Sequence, residues 1–311
     1  MSKCKGLSLM SGGLDSQLAV RVLERAGAYM EGVCFSTPFF SPAAAQKAAA
    51  ALGIRLHVVD FTDIEVRLIE NPPHGFGGAM NPCIDCHANM IRRAGEMIAE
   101  MGFDFVSTGE VLGQRPMSQN RQSLGIVARE SGLEGRLVRP LSAQLLEPTI
   151  PETEGLLDRT KLLSIQGRCR DPQIALAAEF GIVDYPSPAG GCKLTEEGYG
   201  RKLRDLKDHE GLSTRRLIEL LAVGRHFRLP DGTGLIVGRD RIENGILLAE
   251  AKGDSTSHEI VDSTKLPGPT ALLIGGAKSD ADRALAERIV AAYTKGSGVT
   301  DRSFFKSYHI C

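Results

Sequence analysis

The chain has 311 residues, 42% of them hydrophobic and 24% charged, with a formal net charge of −1. That length allows two domains with a sizeable core, and the near-neutral balance excludes a chain-wide basic surface, so any nucleic-acid contact must be local. No apolar run approaches the roughly 20 residues that span a bilayer. The opening Met1-Ser2-Lys3-Cys4-Lys5-Gly6 is no secretory signal. A cytoplasmic, reducing location without a membrane is therefore expected. There the seven cysteines serve as packing residues, metal ligands or reactive thiols rather than disulfides.

In chain order, residues 5–10 read as a short buried strand broken by Ser11-Gly12-Gly13. Leu14, Leu18, Ala19, Val22, Leu23 and Ala26 then recur at helical spacing. Strands are expected at 32–36, 55–61 and 105–108, and helices at 43–52 and 87–101. Between them lies a Pro/Gly-rich loop at 71–86. This alternation predicts an α/β fold, a doubly wound parallel sheet covered on both faces. Residues 111–192 are less regular, with helices expected at 122–130 and 168–180 and a shaped loop at 185–192. From 193 the character shifts, and residues 200–228 read as helical, with eight Lys/Arg against four acids. A compact α/β tail follows: strand-like 234–237, 246–248 and 270–274, closed by a helix at 280–293.

Ser11-Gly12-Gly13-Leu14-Asp15-Ser16 links the first strand to the first helix. The glycines let the backbone approach an anion closely. The N–H groups of Gly13, Leu14 and Asp15 then face phosphate oxygens at a helix start. Ser11 and Ser16 add hydroxyl donors, and Asp15 is a candidate Mg2+ ligand. The segment lacks the GK[ST] ending of a Walker loop and matches the SGGxDS signature of enzymes that split ATP between the α and β phosphates. The plain alternative is a capped glycine turn. Phe35 and Ser36 end the second strand, where adenine is held in such folds, though they can equally be ordinary strand-end residues.

Asn81-Pro82-Cys83-Ile84-Asp85-Cys86-His87 puts two thiols on a loop just before a helix, a position that favours thiolates. Cys192 ends Ala189-Gly190-Gly191, a loop able to approach the pair. Three thiolates leave one position open on a cubane cluster. Zinc with His87 as fourth ligand, a dithiol redox pair, a metal-free nucleophile and persulfide carrier and simple burial remain alternatives. Cys4 and Cys34 read as core residues, and Cys169, between Arg168 and Arg170, as a thiol of no special role.

Together, SGGLDS, NPCIDC and the later glycine-loop cysteine resemble the tRNA thiouridine synthetases, the MnmA/ThiI group of PP-loop ATP pyrophosphatases. Ser107-Thr108-Gly109-Glu110 matches that group's A-T-G-H segment, with Gly109 at the nucleotide. The resemblance implies an adenine nucleotide alpha hydrolase-like fold over residues 1–192. It also implies an ATP-dependent sulfurtransferase that adenylates a uridine carbonyl oxygen and lets a sulfur species displace AMP. Asp15, Cys83 and Cys192 inherit catalytic roles, and Cys83, Cys86 and Cys192 the ligation of a [4Fe-4S] cluster. Implied partners are tRNA and a sulfur donor, either sulfide or a persulfide-carrying protein; oligomeric state is left open, a homodimer included.

Two departures stand out: Glu110 replaces the group's histidine, and neither a THUMP module nor a C-terminal β-barrel is recognisable. In their place, Val237-Gly238-Arg239 through Asn244, then Ser257-His258 and Pro267-Gly268, resembles the RNA-binding NFACT-R module of ribosome quality-control proteins. Residues 231–311 are assigned to it and 193–230 to a basic helical connector, with Arg239, Arg241, Lys252 and Lys265 as candidate phosphate contacts. A PP-loop ligase acting on a small molecule and a non-catalytic RNA-binding iron–sulfur protein are the competing functions.

Overall fold

The computed structural model describes residues 4–187, 191–253, 258–262, 266–299 and 301–310. Pro188, Ala189 and Gly190 of the loop before Cys192 lie outside the described residues, as do Ser257, Lys265 and Cys311. The chain divides into two compact units, Met1–Thr195 and Glu196–Cys311.

The first unit alternates strand and helix: β1 (Lys5–Leu9), α1 (Leu14–Arg25), β2 (Tyr29–Ser36), α2 (Ala43–Leu52), β3 (Leu56–Asp60), α3 (Thr62–Glu70), α4 (Cys83–Met101), β4 (Phe105–Ser107), α5 (Arg121–Ser131), β5 (Leu137–Val138), the short α6 (Ile150–Thr153) and α7 (Asp171–Glu179). Its strands form one parallel sheet in the order β3-β2-β1-β4-β5. Side chains alternate across it because successive strand residues face opposite ways. Met30, Cys34 and Phe105 pack on Leu14, Leu18 and Val22 of α1 and Leu176 of α7. Leu7, Val33, Phe35 and Val106 pack on Leu68 of α3, Ile91 and Met97 of α4 and Val127 of α5. The sheet is therefore doubly wound. Its strand order reverses between β1 and β4, the switch point where ligands settle at the carboxyl edge of such sheets.

The second unit contains α8 (Glu197–His209), α9 (Arg215–Leu220), β6 (Arg225–Arg228), β7 (Gly234–Val237), α10 (Arg241–Ala251), β8 (Glu259–Val261), β9 (Ala271–Ile274) and α11 (Asp280–Tyr293). Its strands form an antiparallel sheet in the order β6-β7-β9-β8. Leu235 and Leu273 face Ile289 of α11, while Ile236 and Leu272 face Leu247 of α10 and Leu220 of α9. Arg225 and Arg228, expected on a helix, lie on β6, which pairs with β7; the stretch from 196 is part of this unit. Residues 246–248, expected as a strand, lie inside α10, whose start is capped by Asp240 accepting from the N–H groups of Ile242 and Glu243. A three-residue apolar run carries no period that separates strand from helix.

Candidate active site

Between β1 and α1 the chain makes the expected anion cradle. Its N-cap, Gly13, is extended (φ −70°, ψ 161°), with no side chain capping the helix. The first-turn N–H groups thus point outward at the positive end of the helix dipole. Ser16 Oγ donates to Gly13 O at 2.8 Å, and Gly13 N–H donates to Ser11 Oγ at 3.3 Å. Gln17 Nε2 holds the turn from beneath through Gly12 O at 3.1 Å. Leu14 contributes backbone alone, since its side chain is buried in the core. Gly12 has φ +81°, and a Cβ there would fall 2.3 Å from the Ala44 carbonyl carbon. A Cβ on Gly109, just past β4, would fall 2.6 Å from the Asp15 carbonyl. Glycine at both positions lets α2 and β4 close on the cradle.

Asp15 is oriented by residues that the sequence reading did not single out. Gln114 Nε2 donates to Asp15 Oδ2 at 2.8 Å, and Gln173 Nε2 donates to Gln114 Oε1 at 3.0 Å. Arg170 Nη2 stands 3.9 Å from Asp15 Oδ1. Asp15 Oδ1 and Arg170 Nε are both buried without a hydrogen-bond partner. Phe35 does not join this group: its ring packs at 5.1 Å from Phe61 inside the core.

Cys83 and Cys86 lie in the first turn of α4, which begins four residues earlier than expected, so the thiols belong to the helix and not to the loop before it. Asn81 Nδ2 donates to Cys83 Sγ at 3.1 Å. The preceding loop is pinned by His74, whose backbone N–H and Nδ1 meet the Asp85 carboxylate at 3.1 and 2.7 Å. Beside Cys192, the Lys193 N–H donates to Phe39 O at 3.0 Å, tying the distal loop to the segment beyond β2. Cys86 interacts electrostatically with both Cys83 and Cys192, and Cys192 with Cys83. The two distant segments thus bring their thiols together, although not all three sulfurs lie within 4.8 Å of one another.

The helix N-terminus does not produce low-pKa thiols at Cys86 or Cys192. Burial pushes Cys86 well above its ordinary value, with Glu65 and the other two thiols adding to the effect. Burial also pushes Cys192 up to about 12, against the backbone N–H of Leu194. Desolvation wins because a thiolate loses more on leaving water than one helix end returns. Glu65 of α3 lies among these thiols, 1% exposed, its carboxyl pushed up to about 7 by burial despite the Cys86 thiol and His87.

His87 turns Nδ1 toward Glu110 Oε1 at 3.3 Å. Glu110 Oε2 accepts from Arg139 Nε at 2.8 Å and from Thr108 Oγ1 at 3.0 Å. Burial alone would raise the Glu110 carboxyl, but Arg139 and His87 outweigh it and hold the acid well below the usual carboxylate range. Cys4 and Cys34 are core residues, and Cys169 is exposed.

In the second unit the NFACT-R-like motif is largely a structural clasp. Gly238 N–H donates to Thr270 O at 3.0 Å, Thr270 N–H to Asn244 Oδ1 at 3.1 Å, and Gly275 N–H to His258 Nδ1 at 2.9 Å. Arg239 is engaged by Glu243 and by Ala222 O. Arg204, Arg241 and Lys252 are exposed.

Residues 1–144 match the family model of the thiamine biosynthesis protein ThiI, and residues 224–303 that of the NFACT protein RNA binding domain. A tRNA-specific 2-thiouridylase MnmA of Sulfurimonas denitrificans is 36% identical over 124 residues, 36% of this chain and 36% of its own. A probable tRNA sulfurtransferase of Caldanaerobacter subterraneus is 31% identical over 146 residues, 44% of this chain and 36% of its own. The chain thus spans 36% of the length of these curated relatives. A solved 4-thiouridine synthetase–RNA complex with bound ATP aligns with a TM-score of 0.40 and 21% identity, covering 70% of this chain and 52% of that one. Residues 1–144 are thus similar to the ThiI family and residues 224–303 to the NFACT RNA binding domain.

Proposed function

We propose that this chain is an ATP-dependent tRNA sulfurtransferase. It adenylates a uridine carbonyl oxygen, releasing pyrophosphate, and replaces that oxygen with sulfur, releasing AMP. The observation that carries the reading is the meeting of thiols from α4 and the distal loop in the unit that holds the phosphate cradle.

The cradle N–H groups of Leu14 and Asp15 would bind the phosphates, Asp15 Oδ1 would take Mg2+, and Arg170 would offset charge developing on the leaving pyrophosphate. Adenylation makes the carbonyl oxygen part of a good leaving group, and attack by sulfur at that carbon expels it as AMP. The donor set fits a multi-iron cluster on Cys83, Cys86 and Cys192. When bound, a cluster on three thiolates offers one open iron to a small sulfur species such as sulfide or one delivered by a persulfide carrier. The exposed Arg204, Arg241 and Lys252 would supply phosphate contacts to tRNA.

One observation favours a small-molecule substrate instead: many arginines of the second unit are paired with its own acids. The deciding experiment deletes the gene and compares thionucleosides in total tRNA. One thionucleoside should vanish and return with the wild-type gene. The Cys192→Ala gene should not restore it, although the purified variant still releases pyrophosphate from ATP with tRNA. Unchanged thionucleosides would move the activity to a small molecule.

A further inference from the structure

Glu65 is the most conspicuous group in the first unit that the sulfurtransferase reading leaves without a role. Its helix, α3, follows β3, and Phe61 at the helix start donates its N–H to Ser36 O at 2.9 Å, fixing α3 against the end of β2. The Glu65 side chain is 1% exposed. Phe61 and Leu68, one turn before and after it on the chain, belong to a buried apolar cluster. Both carboxylate oxygens are buried and meet no N–H or O–H donor. What the carboxylate does face is sulfur: it interacts with the thiols of Cys86 and Cys192. Its hydrogen bond is with the Cys86 thiol, a weak donor, so burying this acid is costly, and such a group is retained where something else completes its coordination.

Resting on the cluster reading above, we infer that Glu65 supplies the fourth ligand, occupying the iron that three cysteines leave open until a sulfur species displaces it. The chemistry suits that task. A carboxylate is a harder donor than thiolate and holds iron of an iron–sulfur cluster less firmly. Its replacement by hydrosulfide exchanges an Fe–O bond for an Fe–S bond with no electron transferred, and the released carboxyl group stays beside the site, able to return when the sulfur leaves. The arrangement would protect the open iron between turnovers without blocking it.

The test uses the full chain, reconstituted anaerobically with iron-57 and sulfide. In wild-type protein, Mössbauer spectra should show four irons per chain, one of them distinct and oxygen-ligated. Glu65→Gln should keep four irons, shift the parameters of the distinct iron as water replaces the carboxylate, and bind hydrosulfide with a half-saturation about tenfold lower, because the internal competitor is gone. A wild-type four-iron protein without an oxygen-ligated site would overturn the inference by itself and leave the cluster reading standing, whether or not the variant folds. So would a Glu65→Gln chain with four irons and an unchanged spectrum and half-saturation. A wild-type chain that takes up zinc and no iron would overturn the cluster reading and Glu65's role with it.

Discussion

In the second unit, charged side chains are paired with one another, whereas along the carboxyl edge of the first unit's sheet several polar atoms are left short of partners. Arg228 is gripped by Asp205 and Glu210, Arg216 by Glu219 and Glu250, Arg239 by Glu243 and Arg283 by Glu259. In the first unit, Asp15 Oδ1 and Arg170 Nε are buried without a hydrogen-bond partner and the Glu65 oxygens meet no N–H or O–H donor, whereas in the second unit such atoms include Asp282 Oδ2 and the Nε2 atoms of His258 and His309, none of them in the arginine pairs above. A buried polar atom without a partner costs folding energy, so its persistence at a site points to a ligand that completes it. Charge already paired serves the fold. Read this way, the basic stretch at 200–228 is mostly scaffold, and counting its lysines and arginines overstates its appetite for phosphate.

The largest test of this contrast is Arg228→Met. Arg228, Asp205 and Glu210 are 14%, 17% and 16% exposed, so the change strands two carboxylates near one another. Removing one partner of such a group costs about 3–5 kcal/mol. Hydrogen exchange of the β6 and β7 amides in the intact chain should accelerate by roughly 100-fold or more, while ATP-dependent pyrophosphate release is unchanged. Lost RNA affinity with unchanged exchange would make Arg228 a ligand contact and break the comparison.

Next in size comes an acid test of His226, which is 5% exposed and donates through Nε2 to Val223 O at 2.9 Å. Burial, helped by Lys202, pushes its imidazole down to about 3 from an ordinary 6.5. Between those values the unfolded chain holds a proton that the folded one does not. The stability is therefore present above pH 6.5 and falls away as pH drops toward 3. At pH 4 the loss from this group is about 3 kcal/mol. Urea unfolding of wild type and His226→Gln at pH 7 and pH 4 isolates it: the variant should lose about 3 kcal/mol less on acidification. Equal losses would mean that His226 titrates normally.

How much of this the sequence announces depends on whether a feature is contiguous. SGGLDS is legible because strand, turn and helix occupy neighbouring residues, α2 because it is rich in alanine and stops at Gly53, and α11 because its 14 residues form one uninterrupted helix. By contrast, α3 escapes notice. It has nine residues and no side-chain cap, and the acid at 65 interrupts the buried stripe of Phe61, Leu68 and Ile69. The residue that hides the helix is the one facing the thiols. Gln114 and Arg170 sit in irregular chain where no period or motif marks them, and only the fold brings them to Asp15. Cys192 was recognisable by residue type, but its meeting with Cys83 and Cys86 depends on contacts such as Lys193 N–H to Phe39 O.

Arg170 offers the smallest effect and the sharpest distinction. Its Nη2 lies 3.9 Å from Asp15 Oδ1, a loose ion pair at side-chain exposures of 19% and 21%, while its Nε has no partner. Were it a fold residue like Arg228, Arg170→Ala would lower stability and leave ATP affinity intact. As a phosphate contact it should do the reverse. Losing one charge-assisted hydrogen bond raises the KM for ATP about tenfold, and unfolding free energy should move by less than about 0.5 kcal/mol. Arg170→Lys should recover part of the affinity, because the charge returns without the planar fork. If KM is unchanged while the chain is destabilised by more than about 1 kcal/mol, the guanidinium is Asp15's structural partner. The cradle would then hold its charges as the second unit does, already paired.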